Sequence, residues 1–114
     1  MNSITTHILD ISIGRPAAGV LVRLDRQTFE GEWGLVGSRK TDSDGRVRDL
    51  IPEGEKLMAS AYRLTFDVGP YFREKQVEGF YNEVTIGFVV TDASQHYHVP
   101  LLLSPFGYST YRGS

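Results

Sequence analysis

Apolar and polar residues alternate along most of the chain, and this alternation predicts β-strands. Val20, Val22 and Leu24 lie on one face of an extended segment, with Arg23 and Asp25 on the other. Because successive side chains of a strand point to opposite faces, a period of two is typical of a strand with one buried side. Similar patterns predict seven further strands, at residues 4–10, 33–40, 46–50, 62–68, 83–88, 95–104 and 107–112.

Glycine and proline separate these strands. Turns are predicted at residues 14–16, 52–54 and 68–70, and Asp44-Gly45 predicts a tight hairpin turn between strands 33–40 and 46–50. One helix is predicted at residues 71–80, ended by Gly79. Eight short strands with one short helix favour an antiparallel β-sandwich, and a small barrel is the alternative.

Composition limits the possible functions. The chain has 114 residues, which fits a single domain spanning residues 1–114. The net charge of −2 argues against nucleic acid and anionic membranes as partners. The absence of cysteine excludes disulfides, thiolate nucleophiles and cysteine-ligated metals. No segment has the roughly 20 apolar residues of a membrane helix, and residues 1–10 lack the pattern of a signal peptide, so we expect a cytoplasmic protein.

The histidines lie on strand faces that we expect to point away from the core. His7 shares its face with Thr5 and Leu9, while the neighbouring Ile8 is typical of a core position. His96 and His98 share a face of the later strand, and this face also carries apolar residues, Pro100 and Leu102. An outward face that mixes imidazoles with apolar side chains indicates an interface or a cleft, although simple solvent exposure is an equally open interpretation.

Two patterns resemble metal sites, and both are better explained otherwise. His96 and His98 could hold a metal from one strand face, but His7 is the only further histidine and there is no cysteine. Asp42-x-Asp44-Gly45 resembles the start of a calcium loop, but the acidic residue expected near the loop's end is missing. We therefore predict no metal and no cofactor.

The last residues of the chain carry a pattern up to the terminus. From Phe106 to Tyr111, aromatic residues alternate with small or polar ones. A frayed tail is usually polar and patternless. The segment is therefore either an edge strand that ends abruptly or a terminus packed into an interface.

Three segments resemble the transthyretin-related proteins. The first is Thr6-His7-Ile8-Leu9-Asp10 with the following Gly14-Arg15-Pro16-Ala17, and the second is His96-Tyr97-His98-Val99-Pro100-Leu101-Leu102-Leu103-Ser104-Pro105. The third, Tyr111-Arg112-Gly113-Ser114, resembles the tetrapeptide of the family's enzymatic branch, the 5-hydroxyisourate hydrolases. The resemblance spans nearly the whole chain.

The resemblance implies a fold, an assembly and an activity. The implied fold is all-β: a transthyretin-like sandwich of two four-stranded antiparallel sheets with one short helix. The implied assembly is a homotetramer, a dimer of dimers, with the active site at the dimer–dimer interface. The implied reaction is hydrolysis of 5-hydroxyisourate to 2-oxo-4-hydroxy-4-carboxy-5-ureidoimidazoline during the degradation of urate to allantoin.

The resemblance also implies roles for individual residues. His7, Arg46, His98 and Ser114 match the catalytic positions of the enzymatic branch, and His7, Arg46 and Tyr111 are the implied substrate contacts. The resemblance leaves open which histidine is the general base. Two alternatives remain: a carrier of small aromatic ligands without turnover, and a β-sandwich interaction domain with no site of its own.

Overall fold

Two β-sheets pack face to face in the computed structural model, which describes residues 3–114. These residues form nine strands and one short helix. The elements in chain order are β1 (Ile4–Asp10), β2 (Arg15–Pro16), β3 (Leu21–Gln27), β4 (Trp33–Lys40), β5 (Arg46–Val47), β6 (Ser60–Asp67), α1 (Val68–Glu74), β7 (Val84–Val90), β8 (Tyr97–Ser104) and β9 (Gly107–Thr110). The predicted all-β sandwich with one short helix is confirmed.

The core lies between the two sheets and follows the alternation in the sequence. Val22 and Leu24 of β3 are buried against Ile8 of β1 and Leu101 of β8, among other apolar residues. Full burial of such a side chain contributes about 1.5–3 kcal/mol. The opposite face of β1 carries Thr5 and His7, which are only half-buried. The predicted outward face of the histidine strands is therefore confirmed.

One strand pairing departs from the antiparallel expectation. The first sheet has the order β2-β1-β8-β9, and β5 adds to β1 over two residues, so this sheet has five strands instead of four. Within it β1 and β8 are parallel, with Thr5 opposite His98 and His7 opposite Pro100. The second sheet has the order β4-β3-β6-β7 and is antiparallel throughout. The parallel pair places the two histidine-bearing faces side by side.

The helix begins and ends earlier than predicted. It spans Val68–Glu74 instead of residues 71–80. The turn predicted at residues 68–70 is instead the start of the helix: Pro70 lies in the first turn, where a missing N–H breaks no helical hydrogen bond. Gln76 then takes a left-handed conformation (φ 59°), which ends the helix well before Gly79. The chain returns at Gly79, which lies against the ring of Phe72.

The turn at Asp44-Gly45 exists, but it does not join two strands of one hairpin. Gly45 has φ 73°, and Gly45 N donates to the Asp42 carbonyl at 2.9 Å. The strand before the turn, β4, belongs to the second sheet, whereas β5 pairs with β1 in the first. The turn therefore carries the chain from one sheet to the other. It also shortens the predicted strand 46–50 to the two residues of β5.

A buried polar cluster fixes the end of β1 to the helix. The Tyr71 hydroxyl donates to Asp10 Oδ2 at 2.8 Å, and Ser12 donates through its backbone N–H at 3.0 Å and its hydroxyl at 2.5 Å to Oδ1. Asp10 is 2% exposed. Burial and the Asp10 carboxylate both raise the pKa of Tyr71, so the phenol stays a donor.

The described residues contain no helix that is long and apolar enough to cross a membrane.

Candidate active site

His7 and Arg46 are brought together by the short strand β5. Arg46 follows Gly45, and the pairing of β5 with β1 places Arg46 opposite His7. The turn is held by Asp42, whose Oδ1 accepts from the backbone N–H groups of Asp44 (2.9 Å) and Arg46 (3.0 Å). A two-residue strand fixed at its start by this carboxylate positions the guanidinium next to the first histidine.

His98 reaches the same region from β8. Thr5 lies opposite His98 in the parallel pair, and the Thr5 hydroxyl is 2.8 Å from His98 Nδ1. The same hydroxyl is 2.9 Å from His96 Nε2. Thr5 and His7 are two residues apart on one strand and share a face. The Thr5 hydroxyl therefore links both His96 and His98 to β1, the strand that carries His7.

The C-terminal tail closes the site over His98. Gly113 N donates to the His98 carbonyl at 2.8 Å, in an isolated antiparallel bridge. Arg112 packs on the ring of Tyr97, with 4.5 Å from its guanidinium carbon to the ring centroid, and donates to Gln95 Oε1 at 2.9 Å. These contacts bring the terminal residue, Ser114, beside the histidines.

A cavity of about 440 Å³ lies where these elements meet. The residues that line it carry hydroxyl, imidazole or guanidinium groups: Thr5, Thr6, Arg46, Arg48, His96, His98 and Ser114. Two arginines with two histidines favour a planar ligand rich in oxygen over an apolar one. The predicted site residues Arg46, His98 and Ser114 thus share one cavity. His7 lies beside it, paired with Arg46.

The electrostatics of the cavity keep two imidazoles neutral. Burial lowers the pKa of His98, and the positive charge of Arg46 lowers it further, with smaller effects from His96 and His7, while a hydrogen bond to the backbone of Thr5 opposes this. Burial, followed by the charge of Arg46, likewise lowers the pKa of His7, although the backbone of Asp44 opposes this. A neutral imidazole can accept a proton, so both histidines are in the form that a general base requires.

Tyr111 lies elsewhere. Its side chain is 57% exposed, and it lines a separate cavity of about 280 Å³ beside Ile86, Phe88 and Tyr97, at the open edge between the two sheets. The single chain therefore does not bring Tyr111 together with Arg46 and His98.

The sequence reasoning gave no role to Thr5 and Arg48, and it left His96 without one. Thr5 was placed on the His7 face, two residues away, and His96 precedes His98 by two residues, so the period of the strands was the available signal. Arg48 follows Arg46 by two residues and donates to Asp42 Oδ2 at 3.2 Å. It therefore shares the carboxylate that fixes the turn.

Two further features of the surface do not change the choice of site. Within residues 3–114, no group of three or more histidine, cysteine or acidic residues could hold a metal ion. A larger cavity of about 610 Å³ lies next to the first and shares Arg48 with it. That cavity is formed mainly by residues 48–57 and carries no imidazole.

Sequence comparison agrees with this geometry. The profile of the HIUase/Transthyretin family matches residues 4–113. The chain belongs to this family. Among the relatives of this family member is a 5-hydroxyisourate hydrolase of Caulobacter vibrioides, 46% identical over 119 residues that cover all of both chains. Another, the 5-hydroxyisourate hydrolase of Salmonella typhimurium, is 43% identical over 99% of this chain and 82% of its own.

Solved structures of both branches resemble this family member. The 5-hydroxyisourate hydrolase of Klebsiella pneumoniae superposes with a TM-score of 0.85 at 37% identity and covers all of both chains. Sea bream transthyretin in complex with thyroxine superposes with a TM-score of 0.90 at 30% identity, over 97% of this chain and 94% of that one. Because the backbone fits the thyroxine-bound transthyretin at least as well as the hydrolase, the fold does not distinguish the two branches. The side chains of the cavity must do so.

Proposed function

We propose that this protein hydrolyses 5-hydroxyisourate to 2-oxo-4-hydroxy-4-carboxy-5-ureidoimidazoline, a step in the degradation of urate to allantoin. The observation that carries the proposal is the cluster of His7, Arg46 and His98, in which a guanidinium lies beside two imidazoles that are held neutral. Curated relatives that carry the name of this activity are 43–48% identical to the chain.

The reaction opens a six-membered ring at an amide bond, and the cluster supplies what this requires. A base must take a proton from the attacking water, and the oxygen that becomes negative must be stabilised. His7 and His98 are the candidates for the base and for orienting the water. Arg46 binds the planar substrate through its several donors and stabilises the oxyanion. Its charge also keeps the neighbouring imidazoles unprotonated.

The C-terminal residues have different positions and therefore different proposed roles. Ser114 lines the cavity and orders it through its hydroxyl or its terminal carboxylate. Tyr111 lines the separate cavity, so the proposed substrate contact requires a second chain or a rearranged tail. The variant Tyr111→Phe tests this contact. A raised KM supports it, and an unchanged KM with unchanged kcat removes Tyr111 from the site.

The proposed working unit is a homotetramer, a dimer of dimers, with the histidine-bearing face at the dimer–dimer interface. The cavity of one chain is open, and its His96 is exposed. A second copy over this face would exclude water from the site and strengthen its electrostatics. Sedimentation with activity measured on each species tests the assembly, and a catalytically competent monomer contradicts it. We further propose that residues 1–114 act as one domain, in the cytoplasm.

The first experiment measures hydrolysis of freshly made 5-hydroxyisourate by wild type and by His7→Ala, Arg46→Ala and His98→Ala. Loss of a general base costs about 10²–10⁴-fold, so we expect kcat/KM to fall by that range in the histidine variants. Asp49→Ala is the matched surface control, because Asp49 is exposed, pairs with Arg39 at 3.3 Å and is not among the residues that line the 440 Å³ cavity. Wild-type activity in all three variants of the cluster would contradict the assignment.

The carrier alternative predicts the opposite set of results. A transthyretin-like carrier would bind thyroxine-like ligands tightly and would not turn over 5-hydroxyisourate. The cavity argues against it, because two imidazoles and a guanidinium are costly to cover with an apolar ligand. An interaction domain without a site predicts that deletion of residues 111–114 changes neither activity nor assembly. We expect that deletion to reduce activity, because it removes Gly113 and Ser114 from His98.

A further inference from the structure

The hydroxyl of Thr5 bridges His98 of β8 and His96, which directly precedes β8. Its Oγ1 is 2.8 Å from His98 Nδ1 and 2.9 Å from His96 Nε2. All three side chains line the 440 Å³ cavity. The bridge is built from the parallel register of β1 and β8, which sets Thr5 opposite His98, and from the two-residue spacing of His96 and His98. None of the roles proposed above uses Thr5 or His96.

A hydroxyl has one hydrogen to donate and lone pairs that accept. Where both rings are neutral, Thr5 either donates to one ring and accepts an N–H from the other, or accepts an N–H from both; only the first arrangement links the tautomers of the two rings. If Thr5 donates to His96 Nε2, His98 carries its hydrogen on Nδ1, and its Nε2 is free to accept a proton. If Thr5 donates to His98 Nδ1, His98 carries its hydrogen on Nε2, and this nitrogen cannot accept a proton. The hydroxyl thus ties the tautomer of His98 to that of His96.

We propose that Thr5 is a positioning residue that links His98 to His96 and carries the proton released by catalysis from His98 to His96. The inference rests on the proposed function, because it concerns the proton of that reaction. Hydrolysis of an amide to a carboxylate whose leaving nitrogen is not basic releases one proton for each turnover near neutral pH. That proton has to leave a site in which the cation of His98 is disfavoured by burial and by Arg46.

The transfer balances without any further reactant: of the two protons of the attacking water, one stays on the new C–OH group and passes to the leaving nitrogen as the C–N bond breaks, and the other is taken by His98. His98 takes a proton from water at Nε2 and becomes an imidazolium that donates from Nδ1 to Thr5. The Nδ1 proton passes to Thr5 Oγ1 while the Thr5 proton passes to His96 Nε2, so His98 becomes neutral and His96 becomes cationic. His96 is exposed and loses a proton to solvent from Nδ1. Rotation of the Thr5 hydroxyl and exchange of the ring protons restore the starting state.

The charges around the bridge favour transfer in this direction. Arg46 of β5 and His7 of β1 both act against a positive charge on His98. Arg48 is a further charged side chain that lines the cavity. His96 is the more exposed of the two residues, so a proton that reaches it has direct access to solvent.

The test compares Thr5→Val, Thr5→Ser and the control Thr85→Val by steady-state hydrolysis of 5-hydroxyisourate. Valine keeps the β-branched shape in a strand but has no hydroxyl. We expect Thr5→Val to lower kcat by at least about tenfold with little change in KM, a smaller loss than the roughly 10²–10⁴-fold of a general base itself. Thr5→Ser keeps the hydroxyl and should restore most of kcat. Thr85 is exposed on β7, outside the cavity, so Thr85→Val should match wild type.

A second variant tests the other end of the relay. His96→Ala should lower kcat to a similar extent, and added imidazole should partly restore it by accepting the proton from Thr5. Because both changes interrupt one relay, the double variant Thr5→Val/His96→Ala should be no slower than the slower single variant. Additive losses in the double variant would overturn the relay.

Titration of the histidine rings by NMR provides a readout that needs no substrate. In wild type we expect protonation of His96 to shift the ring signals of His98, and Thr5→Val should remove this coupling while the fold, seen in the amide spectrum, is kept. Wild-type kcat in Thr5→Val, or failure of Thr5→Ser to restore it, would overturn the inference alone. An inactive wild type would overturn the proposed function and the catalytic role of the relay together.

Discussion

His7 and Arg46 face each other across the shortest strand pair at the site, in which β5 contributes two residues. Burial lowers the pKa of His7 and of His98, and the charge of Arg46 lowers both further. One guanidinium thus controls two imidazoles while remaining available to a substrate. The pair is positioned by the Asp42 turn, which joins the two sheets.

The charge of Arg46 can be tested directly. Arg46→Met removes the charge but keeps the length of the side chain, so we predict that the pKa values of His7 and His98 rise. Arg48→Met is the matched control, because Arg48 lines the cavity but is not a cause of either shift. NMR titration of the ring protons measures the change. Unchanged histidine pKa values in Arg46→Met would show that burial alone accounts for the shifts.

The lowered pKa values predict the acidic side of the pH profile. Both histidines have pKa values below the ordinary value of 6.5, so each is mainly neutral above that pH. We predict that kcat/KM falls on the acidic side with a midpoint below pH 6.5. Conformational stability should change in the same direction, because the folded state binds these protons more weakly than the unfolded chain, so acid favours unfolding below pH 6.5. Activity that is half lost above pH 6.5 would contradict the neutral-base assignment.

Gly113 tests the position of the tail over His98. A Cβ at this residue would lie 2.6 Å from His98 Cδ2 and 3.3 Å from Pro100 Cγ, so Gly113→Ala must displace the ring or the tail. Displacements of about 1 Å in a catalytic group cost on the order of 10²-fold, and we predict a loss of kcat/KM of about tenfold to a hundredfold. Gly34→Ala serves as control, since nothing lies within 4 Å of its Cβ. Equal activity of the two variants would remove Gly113 from the site.

The buried contact between Tyr71 and Asp10 predicts an effect on stability instead of activity. Tyr71→Phe removes a donor from a carboxylate that is 2% exposed, although the two bonds from Ser12 remain. The expected loss in free energy of unfolding is about 1–3 kcal/mol. Urea unfolding measures it, with Tyr108→Phe as a control at a tyrosine that is 41% exposed. A loss no larger than in the control would show that the contact contributes little.

Local patterning predicts the strands well, because each strand has one buried face. Ile4–Asp10 and Trp33–Lys40 have the predicted bounds, and alternation placed His7 and His98 on the outward face correctly. Alternation fails where pairing with residues distant in the sequence determines the secondary structure. The sequence predicts a turn at residues 14–16, but Arg15–Pro16 forms strand β2 because it pairs with Leu9 and Asp10 of β1. The helix was misplaced because Pro70 in a first turn looks the same in sequence as a proline in a loop.

The site was predictable in part. The resemblance pointed to Arg46, His98 and Ser114, which do share a cavity, and strand alternation independently pointed to the face that carries His98. The parallel register that joins Thr5 to His98 could not be read from either strand alone, since it depends on which strands become neighbours. For the same reason, no local pattern indicates that Tyr111 lies in a different cavity from His98 within one chain.

The most direct test of the account is the ultraviolet decay of freshly generated 5-hydroxyisourate with and without the wild-type protein. The account predicts that catalytic amounts of the protein accelerate the decay in proportion to their concentration, and that Arg46→Met abolishes most of this acceleration. Decay at the spontaneous rate in the presence of folded wild-type protein would contradict it.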